Sequence, residues 1–327
     1  MPEASTVLVH NNDRRIWNRD QVIVEIMRAQ ALDQDINVVL DFEGPCAHSL
    51  GIYDILDLVG VDPTRVNIVT CNLLERHDAY QVTRVAPVKH LDYLRQRMRD
   101  DDVPHKTITD DTKHFGHFVG HGSLPRLVIG SHLYTHYRDQ TLQTYHTTHS
   151  NELHREFLAV EELMQSTMCS NHLRNALALL EAAPLRWDHR GPGPILDLKM
   201  YGILEAYQNI FVDIVCHTFY SGHTFYLDEK LWRPIVARTP FMVHGPSNFI
   251  QNLRRLGFQT FHDWWDEGYS EDHPDVQILA MLENIDRLSA MSHNELESMY
   301  QDMRPILEHN FQTLLSLQES DFFREYI

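Results

Sequence analysis

Residues 223–245 read HTFYLDEKLWRPIVARTPFMVHG, with an acid and an amine, Glu229 and Lys230, side by side where a helical pattern begins. A helix N-terminus offers unpaired N–H groups and a positive field to a phosphate. A lysine there adds a point charge suited to a diphosphate. A carboxylate beside it can accept both hydroxyls of a ribose, as acidic residues do in nucleotide-binding α/β folds. Tyr226 or Phe225, just upstream, can stack on a base or cover a sugar. The loop before them holds Ser221, Gly222 and His223, and the apolar run after the helix ends at Gly245, where backbone can approach a ligand closely. A Glu-Lys pair alone also reads as a solvated first turn that complements the helix dipole. The aromatic prefix, the preceding strand pattern and RTPFMVHGP favour the ligand site.

Other residues suggest the remaining roles. Glu43 in LDFEGP falls just past a strand pattern and precedes Gly44, so it is the first candidate for a general base, with Asp41 as the alternative. Glu43 reads equally as the cap of the following helix. His121 and Arg126 lie in GHGSLPRL, between a strand and a helix pattern. Arg126 is the candidate clamp for a diphosphate or acceptor, against a plainer reading as an ion pair. His114, His117 and His121 have the i, i+3, i+7 spacing of one helix face, yet Gly116, Gly120 and Gly122 argue for a strand, and no metal is expected. The nearest thing to a DxD motif is Asp100, Asp101 and Asp102, in a loop pattern. In FHDWWDEGYSEDH, Trp264 and Trp265 read as anchors, with Asp266 and Glu267 ordering a loop.

These residues need a scaffold, and the chain can supply one. Its 327 residues suffice for two ordinary domains. Hydrophobic residues make up 43% and charged ones 23%, a globular composition. Net charge is −18, which disfavours generic binding to nucleic acid or anionic membranes. Residues 1–150 hold 15 Lys/Arg against 20 Asp/Glu, and 151–327 hold 13 against 26, so most acidity belongs to the second half. Arg14, Arg15, Arg19, Arg95, Arg97 and Arg99 leave the first half able to carry a basic face. Four dispersed cysteines without a CxxC pair suit a reducing, cytoplasmic setting. No apolar run reaches the roughly 20 residues of a membrane span, and the first residues lack the pattern of a secretion signal.

Strand patterns at 37–42, 66–72, 114–122, 210–216 and 240–245 alternate with helix patterns at 51–60, 90–100, 123–139, 150–182, 196–209, 228–238 and 247–257. A short strand is expected at 258–261 and two long helices at about 274–290 and 293–317. The pattern is α/β: two Rossmann-like, doubly wound domains facing across a cleft, with extra C-terminal helices. HRGPGP at 189–194 marks the boundary. The expected division is an acceptor-side domain over 1–188, a donor-binding domain over 189–290 and a helical segment over 291–327.

YLDEKLWRPIVARTPFMVHGPS resembles the donor-binding segment of GT-B glycosyltransferases, especially fucosyltransferase-like families. LRRLGFQTFHDWWDEGYSE resembles its continuation in glycosyltransferase-like proteins of bacterial viruses, and DFEGP, GIYDILD and YRDQTLQTYH are similar to their first half. The resemblance is specific over 223–269. It implies a UDP- or GDP-sugar as cosubstrate, with no tightly bound cofactor, and an acceptor held by the first domain. Glu229 would then hold the donor ribose, Lys230 the diphosphate, and Tyr226 would line the same pocket. Asp228 stands where those families usually carry Thr. The viral likeness implies a hydroxymethylated base of DNA as acceptor; a glycan or lipid-linked hydroxyl is the alternative. Two further classes are a non-catalytic nucleotide-binding module and a metal hydrolase built on the histidines. Oligomeric state has no signature in the sequence.

Overall fold

The computed structural model describes residues 4–9, 17–40, 44–86, 92, 105–146, 153–185, 206–268 and 273–323. They form an α/β protein of two parallel sheets flanked by helices. The chain divides into two compact units. One comprises Met1–Leu91, Thr218–Asp228 and Leu317–Ile327, the other Asp92–His217 and Glu229–Ser316.

In the first unit, β1 (Ser5–Val9), β2 (Ile36–Leu40), β3 (Val66–Thr70) and β4 (Gln81–Arg84) lie in chain order, all parallel. Ile36, Val38 and Leu40 alternate with partly buried neighbours, the two-residue period of a strand with one face more covered than the other. α1 (Arg19–Ala31) turns Val22, Ile26 and Ala29 inward, on the i, i+4, i+7 spacing of one helix face. After the short α2 (Ala47–Leu50), α3 (Ile52–Val59) buries Ile52, Tyr53, Ile55 and Leu56. α3 stops at Gly60, whose φ of +73° is the left-handed cap conformation that glycine adopts without strain. These apolar faces share one core with β1–β3.

The second unit holds β5 (Lys113–Val119), β6 (Thr141–Tyr145), β7 (Ile210–Cys216) and β8 (Phe241–His244), parallel in the order β6-β5-β7-β8. All seven residues of β7 are buried, as expected for a central strand covered on both faces. α4 (Leu124–His136) packs on α6 (Cys169–Ala182), and more lightly on α5 (Leu153–Gln165) and on α9 (Pro274–Ser289). α7 (Glu229–Val236) packs on β7 and on the long α10 (His293–Ser316). α8 (Phe249–Arg255) follows β8.

Two features differ from the sequence expectation. Sheet pairing groups the chain otherwise than a boundary at 188/189: β5 and β6 join β7 and β8, through Phe115↔Val212 and Gly116↔Asp213. Parallel strands can be partners across long crossovers, so nearness in sequence does not choose them. The second feature is 258–261, which is not a strand. Asn310 replaces a neighbouring strand there: its Nδ2 donates to the Gln259 carbonyl at 2.8 Å, and its Oδ1 accepts from the Gln259 N–H at 2.8 Å. The helix pattern at 90–100, save Asp92, the linker at 189–194 and most of the pattern at 196–209 lie outside the described residues.

Candidate functional site

From β5 the chain moves to β6 on one side, then returns to place β7 on the other. The gap beyond the carboxyl ends of β5 and β7 is therefore a topological switch point, where the helices on either side diverge and ligands of open α/β sheets bind. A pocket lies there, lined by Val119 of β5, by Asp213 and Cys216 of β7, by Tyr207, and by Lys230 and Arg233 of α7. Its enclosed free space is about 20 Å3, close to the volume one water needs. A ligand larger than a water does not fit within it.

The lining is charged and strongly buried. Asp213 is 3% exposed in mid-strand and accepts from the Tyr207 hydroxyl at 2.8 Å. Burial raises its carboxyl to about 7, against the opposing pull of that hydrogen bond and of the charges on Arg233 and Lys106. Burial, with the charge of Asp213 beside it, also holds the Tyr207 phenol well above its ordinary value. The Cys216 thiol is pushed up to about 12, chiefly by burial, so it is not a ready nucleophile. Below the carboxylate, Lys106 Nζ donates to the Tyr207 carbonyl at 3.0 Å, to Thr239 Oγ1 at 2.9 Å and to the Ile210 carbonyl. Arg233 is 7% exposed, and its Nε has no hydrogen-bond partner among the described residues. A buried guanidinium N–H left unmatched is costly, and Arg233 lines this pocket together with Lys230.

Glu229 and Lys230 open α7 as the sequence suggests, and they pair with each other at 3.1 Å. Their side chains are 26% and 17% exposed, so neither extends fully into solvent. Gly245 follows β8 and is buried; a Cβ there would stand 3.2 Å from the His217 ring and 3.3 Å from that of Phe249. The close approach that requires glycine is thus to these rings. Arg126 is 2% exposed in α4 and binds main chain: its Nε and Nη2 donate to the Cys216 carbonyl at 3.2 and 2.9 Å, and its Nη1 to the His121 carbonyl at 3.2 Å. It secures the end of β7, which positions the pocket wall.

Ser221, Gly222, His223 and Tyr226 belong to the first unit. Asn72 docks this segment. Its Nδ2 donates to the His223 carbonyl and its Oδ1 accepts from the Phe225 N–H, both at 3.0 Å, while the Leu73 N–H donates to the Phe225 carbonyl at 3.0 Å. The Thr224 hydroxyl donates to the Gly44 carbonyl, and Tyr226 Cβ packs against Gly44, which has φ +65°. Gly222 has φ +84° and touches α2 at Ser49. Glu43 and Asp41 lie outside the described residues.

The three spaced histidines do not converge. His114 bonds the Met291 carbonyl at 3.0 Å, His117 the Ile214 carbonyl at 2.9 Å, and His121 lies in the loop after β5. His114 and His117, three apart on a strand, point to opposite faces. The tryptophan loop is anchored as the sequence indicates. Trp265 packs on Phe261 with ring centroids 5.2 Å apart, and Glu267 accepts from the Phe261 N–H and the Thr260 hydroxyl, both at 2.9 Å.

Asp213, Tyr207, Arg233 and Lys106 are not among the residues that the sequence singles out. Two of them carried a signal: Asp213 is the lone acid within IFVDIVC, and Arg233 follows Lys230 at the i+3 spacing that shares a helix face. Lys106 and Tyr207 had none.

No protein-family model and no curated protein matches the chain. Among solved structures, the N-terminal domain of trehalose-6-phosphate phosphatase from Candida albicans aligns with 92% of this chain at a TM-score of 0.42 and 9% identity. This chain spans 66% of that one, a likeness too slight to bear on activity.

Proposed function

We propose that the protein is a GT-B-type glycosyltransferase whose second unit holds a nucleotide-sugar donor by its diphosphate, over Lys230 and Arg233. One observation carries this reading: the buried Arg233 Nε lacks a partner among the described residues and lies beside Lys230, in a pocket at the switch point between β5 and β7. A diphosphate brings oxygens for both cations and departs as an anion that the same pair stabilises. Glu229 already sits beside Lys230, where a carboxylate can take the ribose hydroxyls once phosphate competes for the ammonium. The acceptor, bound by the first unit, is a hydroxyl, with a hydroxymethylated base of viral DNA set against a glycan or lipid-linked acceptor.

The test is thermal stabilisation by a panel of UDP- and GDP-sugars. A ligand at a hundred times its Kd adds about 2.7 kcal/mol to stability. Lys230→Ala and Arg233→Met should each abolish the response; Lys230 is the more exposed of the two, with 17% of its side chain open, so its variant separates lost binding from lost folding. A parent that responds to no nucleotide sugar, or a folded Lys230→Ala that responds like the parent, refutes the assignment. Mass spectrometry of nucleosides, after incubation with plain or hydroxymethylated DNA, then decides whether DNA receives the sugar.

A further inference from the structure

A second polar depression in the second unit shares no residue with the donor pocket. It is an open groove of about 410 Å3 between the loop Phe261–Gly268 and α9, lined by Asp263, Trp264, Trp265, Asp266, Glu283 and Arg287 among others. That volume falls in the range of small-molecule sites. From this groove we infer a binding site for a neutral oligosaccharide, which stands independently of the donor reading.

Rigidity is the first support. Glu267 ties the loop to the Phe261 N–H and to Thr260. Asn284 Nδ2 donates to the Asp266 carbonyl at 2.6 Å, Arg287 Nη2 donates to the Trp264 carbonyl, and Asp266 Oδ1 accepts from the Gly268 N–H at 2.9 Å. A loop with its backbone fixed at several points presents its side chains with little ordering cost on binding.

The chemistry of the lining selects the ligand. Trp264 is half-buried and lines the groove, and Asp263, Asp266 and Glu283 are exposed carboxylates around it. Three acids against Arg287 and His262 disfavour a phosphate or another anion. A simple cation would need acceptors alone, yet the groove also holds donors. Trp265 is 2% exposed, lines the groove, and its indole N–H has no partner among the described residues. Sugars match this mixture: each hydroxyl both donates and accepts, and a pyranose ring has an apolar face that stacks on an aromatic one.

Saturation-transfer NMR with maltose, cellobiose, lactose, chitobiose and mannobiose tests the site on the full chain. At least one should bind, and Trp264→Ala should weaken it roughly tenfold, about 1.4 kcal/mol. Because Trp264 is half-buried, Asp263→Asn with Glu283→Gln serves as a second variant at exposed positions, expected to weaken binding severalfold while melting as the parent does. Binding of none of the five sugars overturns the inference. So does a sugar bound equally by the parent and both variants, or a lysine-rich peptide that binds the groove where sugars do not.

Discussion

Replacing Lys106 by methionine keeps the length of the side chain and removes the ammonium on which the second sheet closes. Lys106 is 5% exposed and bonds the Tyr207 carbonyl, the Ile210 carbonyl at the start of β7 and the Thr239 hydroxyl ahead of β8. Thr239 can fall back on the Ala237 carbonyl, to which it already donates at 3.4 Å. The two carbonyls lose a donor inside the protein, at about 1–3 kcal/mol each. Release of a desolvated ammonium, which burial holds well below its ordinary pKa, offsets part of this. The expected net loss for Lys106→Met is about 3 kcal/mol, within the range of such buried carbonyl penalties. Asp213 also loses a nearby positive charge, so adding Asp213→Asn should return about 1 kcal/mol or more, a coupling typical of residues in one network. Urea unfolding followed by tryptophan fluorescence is the assay, since Trp232, Trp264 and Trp265 belong to the second unit and, among the described tryptophans, only Trp17 to the first. A Lys106→Met protein within about 0.5 kcal/mol of the parent, the scale of an ordinary surface change, would refute the network.

The Asp213 carboxyl sets a pH dependence of defined sign. Its folded value of about 7 exceeds the ordinary 3.8 of an aspartate, so between the two the native protein binds more protons than the unfolded chain. The contribution of Asp213 to stability should therefore fall as pH rises through that window, by on the order of 4 kcal/mol, and level off above it. Asp213→Asn should flatten this fall in urea midpoints measured from pH 4.5 to 8; an unchanged slope would show that Asp213 is not the titrating group. In the first unit, Gly222→Ala must place a Cβ at φ +84°, 2.5 Å from Ser49 Oγ. It should cost about 1–2 kcal/mol and speed hydrogen exchange in 44–50 and 221–226, with Ser49→Ala relieving the contact but not the backbone strain.

Local chemistry was legible where a residue's neighbours in sequence decide its environment. NVVL and VNIVT have the alternation or apolar density of strands, and both form them. IFVDIVC is β7 over its full predicted span. GIYDILDLVG carries both its helical apolar face and the glycine that ends it, and α3 follows. The start of α7 at Glu229, directly after YLD, was also visible. By contrast β4 and β6 are short strands of four and five residues whose amino acids carry no distinct apolar signal, and they acquire their identity from parallel neighbours.

The acid-amine pair at 229–230 could be seen in the chain, but its surroundings could not. The strand order β6-β5-β7-β8 makes the switch point, and it depends on Gly116 finding Asp213 across nearly a hundred residues. That pairing buries Asp213 and brings Lys106 beneath it, and with α7 docked on β7 it turns Arg233 toward a carboxyl that burial has lifted to about 7. Helical and strand periodicity are properties of a few consecutive residues, so they can be read along the chain. Desolvation and charge proximity arise only when distant segments exclude water together, and for that reason the electrostatics of the pocket follow from the fold.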